Sequence, residues 1–162
     1  MRIAVFLHGT IIVHGNAVGL KRKQIVKQVL AGKADHSCAR HVPVGGAVEK
    51  LRTWQKQGAE ILYLSPHKTA KHIAIERSVL KRLGFPEGRV LWCRNCGWSR
   101  IIEQARPDVL IEDDCESIGG ESEMTYPNLK PELMAKTKSI VVKEFGGIDH
   151  LPDKLPALLK YR

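Results

Sequence analysis

Polar side chains able to do chemistry stand at the ends of apolar runs in this chain. Arg2-Ile3-Ala4-Val5-Phe6-Leu7 runs into His8-Gly9-Thr10, and Glu60 to Leu64 runs into Ser65. Arg89 to Trp92 leads to Cys93, and Asp108 to Glu112 leads to Asp113-Asp114. An imidazole ordinarily changes charge near neutral pH, so a histidine at position 8 suits a general acid or base. The acids between Glu112 and Glu123 could hold a divalent ion or form a solvated loop facing a basic body. Cys38-Ala39-Arg40-His41 and Cys93-Arg94-Asn95-Cys96 each set two S or N donors three positions apart. Two such pairs suit tetrahedral zinc, with His36 as a substitute ligand, and they equally suit small buried hydrophobes. His67, just after Ser65-Pro66, is a further candidate for a cleft, whereas His72 is expected on a helix surface.

The elements that position these residues alternate. Strands are predicted over Ile3 to Leu7, Glu60 to Ser65, Arg89 to Trp92, Asp108 to Glu112 and Ser139 to Lys143. Val44, Ala47, Val48, Leu51 and Trp54 form the stripe of one helix, closed by Gly58. Lys71 to Leu83 forms a second, closed by Gly84. Ser99 is a plausible N-cap for a third that Pro107 stops. Short helices are expected near Glu132 to Lys136 and Asp153 to Leu159. Residues 11–42 read as a small insert in which Leu20, Ile25, Val26, Val29 and Leu30 fall at helical spacing. Alternation of this kind predicts an α/β fold with a parallel sheet of about five strands covered on both faces. Ligands of such sheets sit beyond the carboxyl ends of the strands, where strand order reverses. His8, Ser65, Cys93 and Asp113 would all stand there.

A chain of 162 residues suits one domain, and 43% hydrophobic with 27% charged residues are globular values. No apolar run reaches the roughly 18–20 residues of a membrane span, and the amino terminus lacks a secretory signal pattern. A soluble, cytoplasmic protein without membrane partners is expected. Four cysteines are too few for a disulfide scaffold at this length, which suits a reducing compartment. The net charge of +9 is uneven. Up to Arg106 there are 19 Lys and Arg against 6 Asp and Glu, and beyond it 7 against 11. A basic body attracts phosphorylated metabolites or nucleic acid, although solvated helix faces give the same composition. Lys21-Arg22-Lys23 with Lys27 has no aromatic interleaving, so nucleic acid is the less favoured partner.

The run into Phe6-Leu7-His8-Gly9-Thr10 resembles the first motif of the haloacid dehalogenase (HAD) superfamily, an apolar strand ending in Asp-x-Asp-Gly-Thr. Gln57 to Ser65 resembles the helix end and strand of motif two. Arg106-Pro107-Asp108 to Asp114 resembles motif four, a strand ending in paired acids. Ile140 to Ile148 resembles the late strand and loop, and residues 11–42 sit where a small cap is commonly inserted. The resemblance covers nearly the whole chain and implies a HAD-like Rossmannoid three-layer sandwich with a small helical cap. It also implies Ser65 as a phosphate contact, with Gly9 and Thr10 forming the loop that Thr10 braces. Asp113 and Asp114 would hold Mg²⁺, and the motif-three base would be Lys68, Lys71, Arg94 or Arg100. Phe6 and His8 occupy the positions of the two reacting aspartates. Phenylalanine can neither attack phosphorus nor bind metal, so the Mg²⁺ site should be weak or absent.

The resemblance thus implies a phosphohydrolase-fold protein that holds a phosphorylated ligand or partner without the Asp-nucleophile reaction. One alternative is a Mg²⁺-dependent hydrolase of altered mechanism using His8, Asp113 and Asp114. Another is a zinc-stabilised interaction protein with Cys38, His41, Cys93 and Cys96 as ligands. Trp92-Cys93-Arg94-Asn95-Cys96 also resembles the Trp-Cys-x-x-Cys of thioredoxin-like proteins, where a helix N-terminus lowers a thiol pKa.

Overall fold

The computed structural model describes every residue except Asn95 and Arg162. Its centre is β1, Arg2–Phe6, where Ile3, Ala4 and Val5 are wholly buried. An uninterrupted apolar triplet has a side chain for each face of a sheet, so it belongs in the middle of one covered on both sides. The sheet is parallel. Numbering strands along the chain, with β2 and β3 in the insert described below, β4 (Glu60–Leu64) lies on one side of β1 and β6 (Val109–Asp113) on the other. Val5 pairs with Tyr63 and with Ile111. The edges are β5 (Arg89–Leu91) and β7 (Lys138–Val142), giving the order β5-β4-β1-β6-β7. The chain winds outward through β4 and β5, then returns across β1 to build β6 and β7. The reversal falls at the carboxyl ends of β1 and its neighbours.

Alternation along the strands sorts the core into two layers. Ile3, Val5, Ile61, Tyr63 and Ile111 face α2 (Ala47–Lys56), α3 (Ala70–Arg82) and the carboxyl-terminal segment. Ala4, Leu62, Leu64 and Leu110 face α4 (Trp98–Ala105) and Leu129. In α2 the buried residues are Ala47, Leu51 and Trp54, spaced for one helical face. Trp54 is fully buried and its indole N–H donates to the Pro152 carbonyl at 2.9 Å. Truncating it to Ala should cost about 3–5 kcal/mol. Thr69 caps α3 by accepting from the His72 N–H. Ser99 does not cap α4. The helix begins at Trp98, capped by Gly97, two residues earlier than a Ser99 cap implies, and the Ser99 hydroxyl donates to the Asn128 carbonyl instead. Arg106 closes α4 in the left-handed conformation common at helix ends, and the following Pro107 keeps the helix from continuing.

The segment between Ile11 and Val42 rises from the top of the sheet. It stands on a two-stranded antiparallel ribbon, β2 (Ile12–Val13) with β3 (Val42–Pro43). Its helix α1, Arg22–Leu30, buries Val26 and packs Ile25 among Val13, Ala17 and Val44, while Leu20 and Leu30 stay exposed. Among the described residues no helix is long and apolar enough to cross a membrane.

Candidate functional site

A cleft of about 520 Å³ opens at the carboxyl ends of the strands, under the insert. Phe6, the last residue of β1, lines it and packs edge-on against Trp98 with ring centres 4.8 Å apart. Two residues on, His8 lines it too, its Nε2 2.6 Å from Glu76 Oε1. Glu76 sits on α3, three residues after Ile73 and three before Val79, so the core face of the helix delivers it to the cleft base. It is 2% exposed, and its other oxygen, Oε2, is buried without a hydrogen-bond partner. Burial pushes the Glu76 carboxyl up, but the His8 hydrogen bond and charge, the nearby Ser65 hydroxyl and the His67 charge outweigh burial and hold it below its ordinary value.

Other imidazoles gather round this pair. His41 and His67 meet the His8 ring edge-on at 4.7 and 5.0 Å. His67 also lies 5.1 Å from His72. Burial and the nearby His8 lower the pKa of both His41 and His67, which favours neutral rings. Cys38 Sγ is 3.1 Å from His67 Nε2, so the insert closes the site from above. Arg82 on α3 holds that part of the insert through the Ala39 and His41 carbonyls.

The opposite wall is acidic. Asp113 ends β6 beside Gly9, where an added Cβ would come 2.7 Å from its Oδ2. Gly9 has φ +83°, so both its backbone and its lack of a side chain are required. Asp113 accepts from the Thr10 hydroxyl at 2.7 Å and the Cys115 N–H at 3.0 Å. Glu112 accepts from the Thr125 and Tyr126 N–H groups. Glu144 accepts from the Ser117 N–H and hydroxyl. Burial raises the pKa of all three carboxyls. The wall is therefore a scaffold, chiefly for the loop after β6, with its acceptors taken up by backbone N–H groups and the Thr10 and Ser117 hydroxyls.

The residues singled out from sequence part accordingly. His8, Gly9, Ser65, Lys68, Asp113, Cys38, His41, Cys93 and Cys96 line the cleft, and Thr10 is buried behind it on Asp113. Asp114 does not share the cleft with Asp113. It lies just beyond the end of β6 and accepts from Lys143 Nζ at 2.8 Å and from the Glu144 N–H at 2.9 Å. Arg100 is exposed on α4 outside the cleft, which leaves Lys68 as the one Lys or Arg in its lining among the described residues. Ser65 is buried, and its Oγ accepts from the His67 N–H at 3.2 Å. Mg²⁺ requires a near-octahedral oxygen cage. Phe6, a bonded Asp113 and an averted Asp114 do not present one, so no magnesium step is derived.

The four proposed zinc donors do not meet. Cys93 and Cys96 are joined by a disulfide, which leaves neither sulfur as a thiolate. His41 Nδ1 engages the Cys38 carbonyl, and Cys38 turns to His67. The disulfide also corrects the expectation of reduced cysteines, although a bridge between residues three apart is no scaffold. Glu76 was missed as a site residue, and its place on the apolar stripe of α3 was the available signal. His72, expected on the surface, is exposed but touches His67.

No protein-family profile matches the chain, and no curated protein matches its sequence. Solved structures do match its shape. A class C acid phosphatase from Bacillus anthracis, solved with tungstate bound, superposes with a TM-score of 0.53 at 15% identity. That match covers 90% of this chain and 68% of the phosphatase. A second structure described as the class C acid phosphatase from Bacillus anthracis gives 0.53 at 14%, covering 98% and 77%. The likeness is one of fold: the α/β arrangement built on this chain's five-stranded parallel sheet is shared with these two structures.

Proposed function

We propose that the protein holds a phosphorylated small molecule in this cleft and does not run the aspartyl-nucleophile chemistry associated with its fold. The observation that carries this reading is Phe6. At the carboxyl end of the central strand, where a nucleophilic carboxylate would be needed, an aromatic ring packs on Trp98. Gly9, Ser65 and Lys68 still line the space beside it, with Thr10 bracing the loop from behind through Asp113. The fold likeness supports the same reading, since one neighbour was solved with tungstate, a tetrahedral oxyanion. Lys68 supplies positive charge at the rim.

The His8–Glu76 pair also favours a second reading. A carboxylate accepting one ring N–H fixes the tautomer and leaves the other nitrogen as a base, the arrangement used in general acid–base catalysis. The test is a panel of phosphate monoesters, followed both for binding by Trp fluorescence and for phosphate release. Saturable binding with no release above that of an Asp113→Asn/Asp114→Asn variant is the expected result. Release abolished by His8→Gln would replace it with the hydrolase, and absence of binding across the panel would end both readings.

A further inference from the structure

On the histidine side of the cleft, donors from four separate segments meet. His8 follows β1, His67 follows β4, Glu76 belongs to α3 and Cys38 comes from the insert. Ligand atoms of His8, His67 and Glu76 all lie within 4.8 Å of one another. His67 Nε2 is 3.8 Å from Glu76 Oε1 and 3.1 Å from Cys38 Sγ, while His8 Nε2 is 2.6 Å from the same Glu76 oxygen. Glu76 Oε2, in a side chain 2% exposed, has no hydrogen-bond partner. An unpartnered buried carboxylate oxygen is costly, and an imidazole on the other oxygen does not satisfy it.

We propose that His8, His67, Glu76 and Cys38 form a binding site for a divalent transition-metal ion of the zinc class. Two imidazoles, a thiolate and a carboxylate are borderline-soft donors that suit zinc and cobalt and do not suit magnesium. Tetrahedral zinc, with bonds near 2.0–2.3 Å, sets its donors roughly 3.3–3.6 Å apart. The 3.1 and 3.8 Å separations bracket that span, and the His8–Glu76 hydrogen bond opens to reach it. The ion would tie the insert, through Cys38, to three core elements, of which α3 already holds it through Arg82. It lies on the wall away from Asp113, and it stands independently of the phosphate reading because no phosphorylated ligand enters its test.

The test is Co²⁺ titration of the untagged, chelator-stripped full chain under reductant. The expected result is one-to-one binding with intense tetrahedral visible bands, a near-ultraviolet thiolate-to-cobalt band, and displacement of both by Zn²⁺. The Cys93→Ser/Cys96→Ser variant should give the same spectrum. Cys38→Ser should keep the visible bands and lose the thiolate band. His67→Asn should weaken binding by more than the roughly 10–100-fold typical of losing an outer partner of a metal ligand. Cys38 and His67 are both partly exposed, so these variants should stay folded, which circular dichroism checks. A wild-type spectrum without the tetrahedral bands, or without the thiolate band, overturns the proposal. So does binding that His67→Asn leaves unchanged, or a thiolate band that vanishes in Cys93→Ser/Cys96→Ser.

Discussion

On the β6 side of the cleft, the buried carboxylates Glu112, Asp113 and Glu144 each accept two hydrogen bonds from the loop or turn they hold. On the β4–α3 side, Glu76 engages one imidazole and keeps an oxygen without a partner, amid rings and a thiol that touch mainly one another. Both walls bury titratable groups beside the same cavity. In the first, polarity is used to fix backbone, so removing a group should cost stability. In the second, donor capacity is left over, so removing a group should cost ligand affinity.

The sharpest way to break this contrast is Glu112→Ala. It orphans the Thr125 and Tyr126 N–H groups and should cost on the order of 3 kcal/mol in urea unfolding, with Co²⁺ affinity unchanged in the folded protein. A loss of Co²⁺ binding instead would mean that the walls are not separable. Thr10→Val removes one buried bond to Asp113 and should cost about 1–2 kcal/mol by thermal melting. His67→Asn, partly exposed on the other wall, should stay within about 1 kcal/mol of wild type; a larger loss would make its role architectural.

The acidic wall also has a pH signature. Glu112 and Glu144 have carboxyls raised by burial, so the folded state binds protons more tightly than the unfolded state. Their contribution to stability is therefore fullest below the ordinary carboxyl value and declines as pH rises through the raised ones. The urea midpoint of Glu112→Gln, measured from about pH 4.5 upward, should fall less steeply than that of wild type; parallel curves would sink this assignment. The smallest effect expected is at the rim. Lys68→Ala should weaken a phosphate ester only a few-fold, and Arg100→Ala, outside the cleft, should leave binding unaltered.

Much of the scaffold could be read from residues in order. Ile3-Ala4-Val5 announced a strand buried on both faces, and Ala47, Leu51 and Trp54 a helix with one core face. Strand ends then placed His8, Ser65 and Asp113 near one another. The two-residue strands of the ribbon under the insert were too short to show any period. Asp113 and Asp114 diverge because the strand ends between them and Asp114 is taken by Lys143 and the Glu144 N–H, which a motif of paired acids does not reveal. Glu76 was legible as a charged residue on an apolar stripe, but a lone Glu on a helix reads first as solvated. The meeting of Cys38 with His67 bridges 29 residues and depends on how the insert docks, which no local pattern encodes.

The ribbon joining Ile12–Val13 to Val42–Pro43 has a consequence for the chain as a heritable object. Paired antiparallel neighbours lie only about 5 Å apart, so everything between them leaves and rejoins the sheet at one spot. The path of the core is indifferent to how long that excursion is. The insert can lengthen, shorten or be exchanged for another over generations while β1 still runs into Ala47 and α2. Whatever selects the ligand from above can therefore drift faster than the floor on which it rests.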